Sequence, residues 1–76
     1  MSTLYPPLPL IFNDDSFLIE VEDAGPKTLR VLRITRFAHN QNTTGTDEHF
    51  FDLEPEVRRA MIKQINRRHV GRTILF

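Results

Sequence analysis

The stretch Leu53–His69 constrains this chain more than any other. It reads Leu-Glu-Pro-Glu-Val-Arg-Arg-Ala-Met-Ile-Lys-Gln-Ile-Asn-Arg-Arg-His and is followed by Val70-Gly71. It is the one segment with a strong helical signature. Asp52 offers an N-cap, and Pro55 suits the first turn, where its missing N–H costs nothing. Glu54 and Glu56 lie near the positive end of the helix dipole, and Arg67, Arg68 and His69 near the negative end. Gly71 is placed to end the helix. The spacing predicts a helix over Pro55–Arg68.

At about 100° per residue, Val57, Met61 and Ile65 share one side of that helix, with Ala60 and Ile62 at the margin. Arg59, Lys63 and Arg67 are spaced i, i+4, i+8 and form a stripe on the other side, beside Asn66. Arg58 and Arg68 fall within or close to the apolar arc. Each must snorkel out of its terminal turn or meet a carboxylate. A helix with one apolar face needs a second layer to cover it, and the rest of the chain must supply that layer.

Two segments supply it. Phe17–Glu22 alternates, with Phe17, Ile19 and Val21 on one face and Leu18, Glu20 and Glu22 on the other. Thr28–Phe37 is rich in β-branched and aromatic residues. Asp23-Ala24-Gly25-Pro26 separates them, and Pro26 cannot donate to a ladder. The two form a hairpin. If paired positions sum to 50, Glu20 faces Arg30, Leu18 faces Leu32, Ile19 faces Val31 and Val21 faces Leu29, so that like meets like and the one charged pair is complementary. Arg72–Phe76 is a short apolar strand that the helix returns to the same sheet. With its clean apolar face, Phe17–Glu22 is expected in the centre, between the arginine-bearing strand and the C-terminal one.

The expected fold is therefore α+β: a small, mainly antiparallel three-stranded sheet in β-β-α-β order, packed against one helix. Its core should contain Phe17, Ile19, Val21, Leu29, Val31, Val57, Met61 and Ile65. With 76 residues it is one domain. Residues 1–12 should form an extended proline-rich arm, with Leu8, Leu10, Ile11 and Phe12 over the core, and residues 13–76 the globular part. Pro6, Pro7 and Pro9 forbid a helix there. Pro6-Pro7-Leu8-Pro9 resembles the short proline motifs bound by SH3 and WW domains, though no Arg or Lys flanks it. Asn13–Ser16 is a turn cluster. Asn40–Glu48 is polar, carries Gly45 and has no apolar anchor, which predicts a mobile loop.

Composition narrows the function. Without cysteine there is no disulfide, zinc-thiolate or thiol chemistry. No apolar run approaches the roughly 20 residues that a membrane span needs, and no signal peptide is visible. The expected location is the cytoplasm. His39, His49 and His69 are scattered without ligand spacing, so no metal or cofactor is expected. No nucleophile sits in a triad context. Glycines stand only at 25, 45 and 71, which gives no phosphate-binding fingerprint. A chain this short leaves little room for a substrate pocket of ~300 Å3 or more. An enzyme is not expected.

Net charge is zero, but the charges lie in blocks. Asp14, Asp15, Glu20, Glu22 and Asp23 precede the first base. Lys27, Arg30, Arg33 and Arg36 follow. Asp47, Glu48, Asp52, Glu54 and Glu56 come next, and residues 57–76 carry six bases and no acid. Opposite blocks can face each other and cancel. Otherwise they leave a basic face for an acidic partner or a polyanion. The expected function is a small non-enzymatic protein-binding module, a regulator or accessory subunit acting by contact with a larger protein. The residues expected to carry contact are Arg59, Lys63, Arg67 and Arg68 on the helix, Arg30, Arg33 and Arg36 on the strand, and Tyr5, Pro6 and Pro9 on the arm. The alternative is nucleic-acid binding through Arg59, Lys63 and Arg67. The near-neutral balance, with an isoelectric point near 6.8, and the lack of interleaved aromatics weigh against it.

Overall fold

The computed structural model describes residues 5–38 and 44–76. Among these residues the order is β1 (Leu8–Phe12), β2 (Asp15–Gly25), β3 (Thr28–Phe37), β4 (Thr46–Glu48), a 3-10 turn (Phe50–Asp52), α1 (Pro55–Arg68) and β5 (Thr73–Leu75). The class is small α+β, with one helix on a largely antiparallel sheet. The sheet has five strands among the described residues, not three.

The two additional strands come from segments whose sequence hides them. Leu8–Phe12 is extended, as its prolines require, and it is also hydrogen-bonded into the sheet against β2. Leu8 faces the core, Leu10 and Phe12 pack against it, and Pro9 and Ile11 face away. Pro9 is tolerated because β1 is an edge. The turn into β2 uses only Asn13 and Asp14, both at positive φ (50° and 68°), as a two-residue hairpin loop demands. Asp15 and Ser16 already belong to β2. The first four residues of the expected arm lie outside the described residues.

Within the polar stretch, Thr46–Glu48 forms β4 on the far side of β3. Gly45 leads into it at so close an approach that a Cβ there would overlap Thr35 and come within 2.9 Å of the Phe37 ring. Residues 40–43 of the expected mobile loop lie outside the described residues.

The β2–β3 hairpin exists, but its register differs from the expected one. Its loop is the dipeptide Pro26-Lys27 between paired Gly25 and Thr28, so Asp23–Gly25 extends β2 and does not end it. Ala24 and Leu32 are extra residues at two bulges. The bulge at Leu32 shifts the parity of β3. Leu29 and Val31 face the core before it, and Ile34 faces the core after it. Without that shift Ile34 would point to solvent. Glu20 meets Arg33 and Glu22 meets Arg30, so charges still oppose, in different pairs.

β5 lies parallel to β3 along Thr28–Arg30, not beside β2, because β1 already occupies the other side of β2. β3 is thus covered along Thr28–Arg30 by β5 and along Ile34–Arg36 by β4, and it is not the free edge that its arginines suggest.

The helix has the expected bounds, Pro55–Arg68. Its N-cap is Glu54, not Asp52, and makes no side-chain cap bond. The residue before a proline is driven to extended backbone, and Glu54 is so placed at φ −60°, ψ 147°. Asp52 instead closes the 3-10 turn. At the other end His69 N–H donates to Ile65 O at 2.9 Å, and Gly71 adopts φ +79°. Val57, Met61 and Ile65 are buried against Phe17, Ile19, Val21 and Leu29, as expected, and Val31 is part-buried. Leu8, Ile34, Phe50 and Leu53 complete the core. Among the described residues, no helix is long and apolar enough to cross a membrane.

Candidate binding surface

The fold separates the bases of the sheet from those of the helix, and Lys27, exposed in the β2–β3 loop, belongs to neither group. Those on the sheet are neutralised. Arg36 lies opposite Phe17 in the β2–β3 register, with its guanidinium 5.2 Å from the ring centroid. Its Nε and Nη2 donate to Asp15 Oδ2 at 3.0 and 2.7 Å, and Glu54 and Glu48 stand at 3.4 and 3.6 Å. Hydrogen bonds that Arg36 donates to Asp15 and then to Glu54 push its pKa up, and Arg36 in turn holds the Glu54 carboxyl below its usual range. Arg30 pairs with Glu22 at 3.5 Å, and Arg33 stands 3.9 Å from Glu20 and 4.0 Å from Asp47.

Arg72 forms a second hub where β5 enters the sheet. It pairs with Asp23, donates to Thr28 O at 2.6 Å and Gly25 O at 3.3 Å, and reaches the Tyr5 hydroxyl at 3.0 Å. The Tyr5 hydroxyl donates to Asp23 Oδ1 at 2.8 Å. The Tyr5 ring meets the His69 ring edge-on at 4.6 Å. His69 Nε2 is buried and has no hydrogen-bond partner, and burial, followed by the charge of Arg72, lowers its pKa.

The helix cations are different. Arg59, Lys63, Arg67 and Arg68 are exposed, and among the described residues no carboxylate lies within ion-pair distance of any of them. Arg58 is half-buried and donates to Phe51 O at 3.3 Å, which meets its need at the helix start without a carboxylate. The residues singled out from sequence therefore separate. Arg59, Lys63, Arg67 and Arg68 stand together on the helix. Arg30, Arg33 and Arg36 are tied to acids on the sheet.

Tyr5, Pro6 and Pro9 adjoin the C-terminal half of the helix. One cleft of about 360 Å3 lies between Pro9, Leu10 and Ile11 on one side and Gln64 and Arg67 on the other. A second, of about 180 Å3, lies between Tyr5–Leu8 and Arg68 and His69. The larger exceeds what the chain length led us to expect, because it is an open groove between two elements and not a cavity within the core. Gln64, which sequence reasoning missed, bridges the two walls by donating from Nε2 to Pro9 O at 2.9 Å. Also missed is an aromatic group at the other end of the helix. Phe50 and Phe76 stack at 3.6 Å, and Phe51 beside them is 62% exposed. The Phe50-Phe51 pair beside His49 was its only sequence signal. Among the described residues, His, Asp and Glu form no group of three that could hold a metal ion.

This is a small α+β domain architecture with a cationic helix face beside an open groove. The chain matches no family model, no curated protein and no solved structure.

Proposed function

We propose that this chain is a contact protein with no catalysis of its own, a regulator or accessory subunit that docks its helix on an acidic surface of a larger protein. The observation that carries this reading is the sorting of charge. Of ten acids, seven (Asp15, Glu20, Glu22, Asp23, Asp47, Glu48 and Glu54) close on four arginines of the sheet and of the residue that leads into β5. The helix cations are left to set the field on their side. Such a face raises the encounter rate with an acidic partner and repels a basic one. The cysteine-free sequence suits a reducing compartment such as the cytoplasm.

A second reading rests on the same row. Arg59, Lys63 and Arg67 span about 12 Å along the helix axis, which suits consecutive contacts to a phosphate backbone. The experiment that separates the two uses the lysines, which stand only at 27 and 63. A carbodiimide joins partner carboxylates to lysine amines without a spacer. In extract from the cells that make the protein, the expected result is a discrete protein adduct through Lys63. Changing Arg59, Lys63 and Arg67 together to Ala should slow association with that partner. Adducts through Lys27 alone would overturn the reading. So would the absence of a protein adduct alongside oligonucleotide binding at about 50 mM salt that weakens with a slope near −0.9 per phosphate on duplex DNA.

A further inference from the structure

We infer that the outer edge of β1 and the last two turns of α1 form a docking groove for an extended peptide in which acidic and apolar residues alternate. The inference rests on the reading of the chain as a protein-contact module, and it names both a surface and the chemistry of its occupant.

The first observation is an open main chain. Phe12 and Asp15 close a two-residue hairpin loop, so they are a hydrogen-bonded pair. Alternation along an antiparallel ladder then turns the main-chain groups of Leu8, Leu10 and Phe12 toward β2 and those of Pro9 and Ile11 outward. The bond from Gln64 Nε2 to Pro9 O at 2.9 Å independently fixes that outward direction. The N–H and C=O of Ile11 therefore face the groove. The Ile11 side chain is 76% exposed. Pro7 and Pro9 have no N–H to donate, so the edge cannot extend a sheet indefinitely. It can accept one short segment anchored at Ile11.

The second observation is the groove's charge. On the helix side its walls carry Arg67 and, next along, Arg68, two cations with no carboxylate partner among the described residues. A strand laid on β1 alternates its side chains between the two faces of the sheet, with same-side residues about 7 Å apart. Those turned toward the helix meet guanidinium groups, so carboxylates are favoured there. Those turned the other way lie beside Pro9 and Ile11, next to Leu18 on the open face, so apolar side chains are favoured there. Main-chain bonds supply affinity, and the alternating side chains supply specificity.

The test titrates the 15N-labelled full chain with a Glu-Val-Glu-Val-Glu-Val peptide, its Gln-Val counterpart and a short duplex oligonucleotide. With the acidic peptide, the Ile11 amide and the Arg67 and Arg68 Nε–H signals should shift together and saturate. The Gln-Val peptide should bind about tenfold more weakly or worse, because charge-assisted bonds are replaced by neutral ones. Ile11→Pro, which removes a donor that β2 does not use, and the pair Arg67→Gln and Arg68→Gln should each weaken binding by a similar factor. The arginine pair decides the matter if the proline variant fails to fold. Shifts at Arg59 and Lys63 with Ile11 unmoved would overturn the groove and leave the contact reading in place. So would no shift at millimolar peptide, or equal binding of the Gln-Val peptide, while Lys63 still forms protein adducts. An oligonucleotide that binds these residues more tightly than the acidic peptide would overturn both.

Discussion

Met61→Ala tests the packing on which everything else stands. Met61 is fully buried at the centre of the apolar helix face, between Val57 and Ile65, and it packs in one cluster with Phe17, Ile19, Val21 and Leu29. The change deletes three heavy atoms beyond Cβ. At about 0.8 kcal/mol per buried methylene-sized group, transfer alone costs about 2.4 kcal/mol. The space left behind adds a cavity cost, so the total should fall within about 2–5 kcal/mol. A chain of 76 residues has a total stability of about 4–11 kcal/mol at the usual per-residue scale. The substitution should therefore remove a large part of it. The assay is urea unfolding followed by circular dichroism, with Lys63→Ala, exposed and two residues away, as the control. The control should stay within about 0.5 kcal/mol of the parent. The melting temperature of Met61→Ala should drop by at least about 8 °C. A loss no larger than that of the control would refute the placing of this face against the sheet.

Two further outcomes follow from the charged hubs. Arg36→Met keeps the stem over Phe17 and removes the charge from Asp15, Glu48 and Glu54, so Glu54 should titrate higher than in the parent. A depressed carboxyl contributes stability above its unfolded pKa of about 4.3 and loses it as pH falls through the folded value. The variant should therefore be less stable than the parent at pH 7, and the gap should narrow in melts taken from pH 5 down to pH 3; a constant gap would contradict this. At His69, burial beside Tyr5 and then the charge of Arg72, with Asp23 opposing and Arg68 adding to the repulsion, favour the neutral ring. The unfolded chain takes up the proton first, so this contribution is complete above about pH 6.5 and declines on acidification below it. His69→Phe should flatten that part of the stability profile, and the ring carbons of His69 should titrate with a midpoint below that of a free histidine in an NMR series.

What was legible in the sequence was local. The helix bounds follow from Pro55 and Gly71, and its buried face follows from the spacing of Val57, Met61 and Ile65. The inward faces of Phe17, Ile19, Val21 and Leu29 follow from alternation. The register did not follow, because Ala24 and Leu32 are set aside as bulges, and the one at Leu32 turns Ile34 inward to meet the core, a long-range packing demand that local alternation does not carry. β1 was obscured because two prolines in its approach and Pro9 within it suppress the strand signal, although Leu8, Leu10 and Phe12 alternate correctly. β4 was obscured because Thr46-Asp47-Glu48 has no apolar face.

The candidate surface shows the same division between local and long-range information. The row Arg59, Lys63 and Arg67 is a local property of helical spacing. Which bases remain free is not, because each neutralising pair joins distant positions: Arg36 reaches Asp15 across 21 residues, and Arg72 reaches Asp23. The acidic blocks flank the arginine strand in sequence, and the hairpin folds them onto it. The helix row is exposed, on the side away from Val57, Met61 and Ile65, and among the described residues no carboxylate lies within ion-pair distance of it. A chain whose formal charge sums to zero therefore presents an unbalanced cationic face, for a reason that only the topology supplies.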